Sequence, residues 1–120
     1  MKPHIDGTCF GSITVEGSTL EHDILIRLSG EVVKRKKKLS KAVYGTSHIL
    51  SREEAEFVYE KGAALLIVGS GQEDSVRLSH EARAYLEERG CRVELRSTPE
   101  AVRAWNGAKG PAVGLFHVTC

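Results

Sequence analysis

The pattern of apolar and polar positions changes about a third of the way along the chain. In the segments 9–15, 23–28 and 31–34, apolar residues recur at nearly every second position, which predicts half-buried β-strands. Glycine-containing pairs at 17–18 and 29–30 separate these segments and predict turns. The first third is therefore predicted to be an antiparallel β meander.

Beyond residue 50, helical and strand-like patterns alternate. Ser51 and Glu54 have the spacing of a capping box, in which each side chain bonds the backbone amide of the other. Helices are predicted from Ser51 to Gly62, from Ser79 to Gly90 and from Thr98 to Gly107, and strands over 63–68, 92–96 and 111–118. Such alternation is typical of a parallel sheet with helices packed on it. We predict a single α/β domain over residues 1–120: a three-layer sandwich with a mostly parallel central sheet and the N-terminal antiparallel meander.

Length and composition exclude several classes of protein. The chain has 120 residues, of which 41% are hydrophobic and 28% charged, as in one ordinary globular domain. Its longest apolar run, residues 63–68, is far shorter than the roughly 20 residues of a membrane span. Its start resembles neither a signal nor a transit peptide. The three cysteines, Cys9, Cys91 and Cys120, form no Cys-x-x-Cys pair, which argues against a disulfide framework or a zinc site. We expect a cytoplasmic protein with no membrane association, metal or cofactor.

The net charge of +1 conceals one strongly basic segment. It consists of Lys34, Arg35, Lys36, Lys37, Lys38 and Lys41. A cationic run can bind phosphate backbones, but no aromatic residues lie between these cations and no nucleic-acid-binding motif is present. The segment is predicted to be either a solvated strand end or an anion-binding ridge that docks a protein partner, in preference to a nucleic-acid site.

One polar loop, Gly69–Gln72, follows the predicted strand 63–68. Ligands of parallel sheets bind beyond the carboxyl ends of the strands, and closely spaced glycines let backbone amides approach an anion. However, Glu73 and Asp74 place negative charge where a phosphate would lie. This favours a tight turn over nucleotide binding.

A second polar loop, Thr46–His48, precedes the first predicted helix. An imidazole suits proton transfer near physiological pH, and hydroxyl and imidazole groups equally suit closing a loop by hydrogen bonds. At the end of the last predicted strand, His117 and Thr119 are two positions apart and therefore point to the same face. No catalytic residue is assigned. The candidate ligand-pocket residues are Thr46, Ser47, His48, Gly69, Ser70, Gly71, Gln72 and His117.

Several motifs together resemble a small domain family of unknown biochemical function. They are Pro3-x-Ile5-Asp6, Phe10-Gly11-x-Ile13-x-Val15-x-Gly17, Val68-Gly69-Ser70-Gly71-Gln72, Thr98-Pro99-x-Ala101-Val102 and His117-x-Thr119-Cys120. The family includes archaeal and bacterial hypothetical proteins, the mitochondrial complex I assembly factor 3 and an adipogenesis-associated domain protein. The resemblance implies a three-layer α/β fold over the full chain and supplies no catalytic residues. The segment 34–48 is closer to archaeal members than to the mitochondrial branch to which the assembly role belongs.

Three functions are compatible with the sequence. The first is a protein-binding or assembly module that docks through the basic segment. The second is a small-molecule binder or enzyme with a polar pocket between Thr46–His48 and Gly69–Gln72. The third is nucleic-acid binding through Lys34–Lys41. The sequence makes no prediction of oligomeric state.

Overall fold

The computed structural model describes residues 2–120, and the N-terminal part of these forms a small separate sheet. Its strands β1 (Ile5–Cys9), β2 (Ser12–Val15) and β3 (Ser18–Leu20) are antiparallel and lie in the order β1-β2-β3. This confirms an antiparallel N-terminal sheet. Its strands are not those predicted, because the segments 23–28 and 31–34 belong to a different sheet.

The central sheet has five strands among the described residues. They are β4 (Ile24–Ile26), β5 (Val32–Lys34), β7 (Leu65–Ser70), β9 (Arg92–Arg96) and β10 (Ala112–His117), in the order β5-β4-β10-β7-β9. Strands β6 (Ile49–Leu50) and β8 (Arg77–Leu78) form a separate parallel pair. The predicted α/β class is confirmed.

The prediction of a mostly parallel sheet is wrong. Strand β7 pairs in parallel with β9 and β10, whereas β4 is antiparallel to both β10 and β5. The sheet is mixed because the β4–β5 hairpin joins the free side of β10. The short connection between β4 and β5 requires those two strands to be antiparallel, and β4 also runs antiparallel to β10, so only β10, β7 and β9 run parallel to one another.

Four helices complete the described fold: α1 (Lys38–Tyr44), α2 (Arg52–Val58), α3 (His80–Glu88) and α4 (Thr98–Gly107). Helix α1 was not predicted, because it lacks an acidic first turn and a side-chain cap at Lys37. Helix α2 ends four residues before the predicted Gly62. Among residues 2–120, no helix has the length and apolar composition required to cross a membrane.

Alternating side chains of the central sheet build two cores. In β4, Ile24 and Ile26 pack in one core and Leu25 in the other, since successive strand residues point to opposite faces. The first core includes α4 and the N-terminal sheet, with the rings of Trp105 and Phe116 edge-to-face at 6.0 Å. The second core includes α2 and α3. The polar residues described next lie where β4, β5 and β10 meet the segment 40–54.

Candidate functional site

Arg35, the residue that follows β5, points into the protein. Its side chain is 1% exposed. Its Nε and Nη2 donate to Glu54 Oε2 and Oε1 at 2.7 and 3.0 Å, and Nη1 donates to Asp23 Oδ2 at 3.0 Å. Nη2 also donates to the Ser47 carbonyl oxygen at 2.9 Å. Burial lowers the pKa of Arg35, but Glu54 and Asp23 together raise it. Through these hydrogen bonds one guanidinium connects three separate parts of the chain, at residues 23, 47 and 54.

Asp23 joins this cation to the last strand. Its Oδ2 accepts from His117 Nδ1 at 2.7 Å, and its Oδ1 accepts from the Val118 amide at 2.9 Å. Burial raises the pKa of Asp23, yet the hydrogen bonds from His117 and Val118, with the charges of His117 and Arg35, lower it from 3.8 to about 2. Asp23 is therefore ionised at neutral pH, and the Nδ1 atom of His117 carries a proton.

Glu54 departs from the predicted capping box in an informative way. Ser51 Oγ accepts from the Glu54 amide at 3.1 Å, as predicted for the helix start. The Glu54 carboxylate does not return to Ser51. It binds Arg35 and accepts from Ser40 Oγ, and Ser40 Oγ in turn accepts from the Ser51 amide at 2.9 Å. A serine of α1 thus takes the place of the glutamate in capping α2.

These contacts form one buried polar network, defined here as Asp23, Arg35, Ser40, Glu54 and His117. The exposed fraction of each residue is 5% or less. Buried charges are costly unless they are paired and hydrogen-bonded, and here each charged group has at least two partners. The network fixes α1 and α2 against β4, β5 and the end of β10.

His117 connects the buried polar network to two residues nearer the surface, Thr119 and His48. Its Nε2 lies 3.1 Å from Thr119 Oγ1, and its ring meets the His48 ring edge-to-face at 5.3 Å. With Nδ1 bonded to Asp23, Nε2 is the ring nitrogen that faces the Thr119 hydroxyl. His117 is 3% exposed, whereas His48 and Thr119 are half-buried.

The loop Gly69–Gln72, called the glycine loop here, also approaches His117, but the C-terminal residues of the chain fill the space beside it. Gly71 has φ +107°, and a Cβ there would lie 2.3 Å from the carbonyl carbon of Cys120 and 3.0 Å from His117 Cδ2. The amides of Gly71, Gln72 and Glu73 donate to Thr98 Oγ1, Thr119 O and Cys120 O. The sequence analysis considered the backbone amides of this loop as possible donors to a bound anion. In the structure these amides donate to oxygen atoms of the protein instead.

The predicted pocket residues come together only in part. Both loops contact His117, one through His48 and the other through Gly71. Thr46 Oγ1 accepts from the His48 amide, and the Ser47 carbonyl oxygen accepts from Arg35. The other polar side chains point away from His117. Ser70 Oγ donates to Asp74 Oδ1 and to the Arg96 carbonyl oxygen. The side-chain amide of Gln72 donates to Thr8 Oγ1 and to the Cys9 carbonyl oxygen. At Gly69, a Cβ would lie 2.9 Å from Thr98 Oγ1.

The lysines of the basic segment lie at the surface, unlike Arg35. We define the basic face as Lys34, Lys36, Lys37, Lys38 and Lys41, all of which are exposed. Within residues 2–120 none of the five forms a salt bridge. The prediction that Arg35 offers its charge to a partner is wrong, because both acids that pair with it are inside the protein. Val43 and Tyr44, 50% and 37% exposed, lie at the end of α1, just after Lys41.

A groove of about 500 Å³ borders the basic face. Val33 and Phe57 contribute apolar surface to it, and the remaining lining residues are Arg27, Glu31, Lys34, Arg35 and Lys36. The Lys36 ammonium lies 4.8 Å from the centre of the Phe57 ring, within the range of a cation–π contact. Cationic and apolar surfaces are thus contiguous here.

Sequence reasoning missed Asp23, Glu54 and Ser40 as site residues. A signal was present in the basic segment, where one arginine stands among lysines. Arginine is the residue preferred for buried bidentate pairing with carboxylates. Asp23 directly precedes the apolar segment 24–28, but aspartates at strand ends are mostly exposed, so its position alone did not indicate burial.

Several solved structures resemble the protein over nearly its whole length. A conserved hypothetical protein from Pyrococcus horikoshii is 32% identical with a TM-score of 0.88, and all of both chains is covered. A structure named MT938 is 29% identical with a TM-score of 0.81, over 99% of this chain and 100% of the other. A Mth938-like domain from Bordetella pertussis is 19% identical, with a TM-score of 0.64 over 97% of this chain and 85% of the other, and shares the fold.

The family match agrees with the resemblance found in the sequence motifs. The family model described as "Protein of unknown function (DUF498/DUF598)" matches residues 5–111. That range includes the basic segment, both polar loops and four of the five residues of the buried polar network. The chain belongs to this family of proteins of unknown function.

Proposed function

We propose that the protein is a binding module that docks an acidic protein partner through the basic face. The observation that carries the proposal is the contrast between Arg35 and its neighbours. The arginine is neutralised by Asp23 and Glu54 inside the protein, while five lysines around it project outward without an acid to pair with among residues 2–120. The positive charge is concentrated on one surface, where it favours negatively charged partners.

The buried polar network makes this surface stiff. Arg35 lies between Lys34 and Lys36 and is held by two carboxylates, while Ser40 of α1 is held by Glu54 and Ser51. Both ends of the segment are therefore anchored from within. A preorganised surface loses less conformational entropy on binding, which suits a docking site.

Apolar side chains beside the charges favour protein over nucleic acid as the partner. Exposed Val43 and Tyr44, and the groove at Phe57, adjoin the lysines. Protein interfaces combine an apolar centre with a charged rim. A surface for single-stranded nucleic acid places aromatic rings between its cations for base stacking, and no aromatic residue lies between Lys34 and Lys41 in the sequence.

A second candidate function rests on His117. The alignment of Asp23, His117 and Thr119, with spacings of 2.7 and 3.1 Å, favours a small polar ligand at Thr119 and His48. Replacing Thr119 with Val removes the hydroxyl at little change in volume, and should abolish any ligand-induced rise in melting temperature. Equal rises in both proteins would reject this site.

Affinity capture with charge-reversed protein tests the docking proposal. The wild type should recover a partner from an extract of its source, with cross-links joining Lys36 and Lys37 to an acidic segment of that partner. Recovery should fall at least tenfold in the double variant Lys36→Glu/Lys37→Glu, since each reversal replaces attraction with repulsion.

Arg103→Glu/Lys109→Glu is the matched control, because it also reverses two exposed cations, and these lie on and just after α4, away from the basic face. It should leave recovery unchanged. Equal recovery by the double variant and the wild type would reject the basic face. So would a captured nucleic acid whose removal by nuclease abolishes all recovery.

A further inference from the structure

We infer that the partner of the basic face binds as an extended acidic segment that adds a strand to the free edge of the central sheet at β5. This inference rests on the proposed function and specifies its geometry. Strand β5 ends the strand order β5-β4-β10-β7-β9, so one of its sides has no neighbouring strand among the described residues. An edge of this kind is a template for strand addition.

The register shows which backbone groups face outward. Strands β4 and β5 pair Ile26 with Val32, Leu25 with Val33 and Ile24 with Lys34. The flanking bonds from the Arg27 amide to the Glu31 carbonyl and from the Arg35 amide to the Asp23 carbonyl fix the hydrogen-bonded pairs as 27–31, 25–33 and 23–35, since such pairs alternate in antiparallel strands.

Val33 therefore directs its amide and carbonyl towards β4. Val32 and Lys34 direct theirs towards the open side, where they provide two donors and two acceptors. A new strand placed there can bond all four groups without disturbing the β4–β5 hairpin.

The groove supplies side-chain recognition beside this edge. Val33 packs on the same side of the sheet as Phe57 of α2, and both line the groove. Alternate side chains of an added strand would enter the groove, since residues i and i+2 share a face. The residues that enter should be apolar to contact Val33 and Phe57. The residues on the opposite face of the added strand should be acidic to meet Lys34, whose side chain lies on the face opposite Val33.

Charge also argues against a second copy of this chain at the edge. Two β5 strands side by side would bring two sets of five lysines together, and like charges at an interface are unfavourable. An acidic segment of another protein removes that repulsion. The edge and the basic face thus specify the same occupant.

Hydrogen exchange measured by NMR tests strand addition directly. The probe is a blocked seven-residue peptide of alternating glutamate and valine, and its control is the same peptide with all central amides N-methylated, which keeps charge and side chains. At saturation, the unmodified peptide should slow exchange of the Val32 and Lys34 amides at least about tenfold. The Val33 amide, already bonded to β4, should change little. The N-methylated peptide should protect neither residue.

The Lys36→Glu/Lys37→Glu variant separates the two proposals. Weaker binding to this variant, with equal binding of both peptides to the wild type, would overturn strand addition and leave charge-based docking standing. Equal binding of the unmodified peptide to both proteins, with Val32 and Lys34 protected, would support the edge and count against the basic face. No binding at millimolar peptide would overturn strand addition. Protection that rises with protein concentration alone would identify a second copy as the occupant, which also overturns the inference.

Discussion

Arg35 and Glu54 meet through two parallel hydrogen bonds, of 2.7 Å from Nε to Oε2 and 3.0 Å from Nη2 to Oε1. The pair joins the end of β5 to α2 across the interior of the protein. Charge-assisted bidentate bonds are about twice as strong as neutral ones and fix orientation as well as distance. The conformation of the basic face therefore depends on a contact that the surface does not reveal.

Replacing Arg35 with Met should be strongly destabilising. The variant keeps much of the side-chain volume but leaves Asp23 and Glu54 without their cation in the interior. Breaking a buried ion pair in this way costs about 3–5 kcal/mol. Urea unfolding at pH 7 measures the loss. Lys37→Met is the control, with an expected change within ±0.5 kcal/mol because Lys37 is exposed.

Arg35→Lys tests whether geometry matters beyond charge. A lysine cannot form the fork that reaches Glu54, Asp23 and the Ser47 carbonyl together. It should therefore lose much of the stability lost in Arg35→Met. Full stability in the lysine variant would show that a single positive charge suffices and that the bidentate geometry contributes nothing.

Asp23 should make stability depend on pH in the acid range. Its pKa falls from 3.8 to about 2 in the folded protein, so folding favours its ionised form. That stability is fully present above about pH 4 and is lost as the pH falls towards 2, and its size is on the order of 2 kcal/mol. The carboxyl carbon resonance of Asp23 should titrate with a midpoint near 2.

Asp23→Asn provides the matching stability measurement. Its deficit relative to the wild type in free energy of unfolding should shrink by about 2 kcal/mol between pH 5 and pH 2. A deficit that stays constant over this range, or a titration midpoint near 3.8, would show that the contacts of His117 and Arg35 do not stabilise the carboxylate.

The strands and helices that a local pattern of apolar residues specifies could be predicted from the sequence. The strands around residues 65, 92 and 112 and the helices after Ser79 and Thr98 agree with the structure within a few residues, because long apolar periodicities specify them. The position of the β4–β5 hairpin could not be predicted. Its alternation fits a separate meander and an edge of the central sheet equally well, and tertiary packing decides between the two.

The site was less predictable for a similar reason. Lys34 and Arg35 are neighbours in a basic run and differ there only in residue type, whereas the folded chain shows that Lys34 is exposed and that Arg35 is enclosed by Asp23 and Glu54. Glu54 was assigned to a helix cap on sequence grounds. Its carboxylate serves Arg35 instead, because Ser40 of a helix that the sequence did not reveal takes over the cap.

Gly71 should tolerate no side chain. Its φ of +107° is a backbone conformation essentially limited to glycine, and a Cβ would meet the Cys120 backbone at 2.3 Å. Gly71→Ala should cost at least about 2 kcal/mol from strain and displacement of the adjoining chain. The control is Gly107→Ala, where nothing lies within 4 Å and φ is not positive. It should be neutral or stabilising by up to about 1 kcal/mol. Equal unfolding midpoints for the two variants would contradict the close approach.

Thr98 should matter through its hydroxyl rather than its position as a helix cap. Thr98 is the first residue of α4 and not its N-cap, and Ser97 precedes it without a side-chain cap hydrogen bond. The hydroxyl of Thr98 accepts from the Gly71 amide at 2.8 Å and donates to the His117 carbonyl at 2.5 Å. Thr98→Val keeps the shape but leaves both buried groups unsatisfied, at a cost of about 1–3 kcal/mol.

Thr98→Ser separates the hydrogen bonds from the packing. It keeps the hydroxyl and removes one methyl group, so it should cost less than Thr98→Val, at most about 1 kcal/mol. Exchange of the Gly71 amide should accelerate in the valine variant and stay slow in the serine variant, because only valine removes its acceptor. A serine variant as unstable as the valine variant would mean that Thr98 acts by filling space.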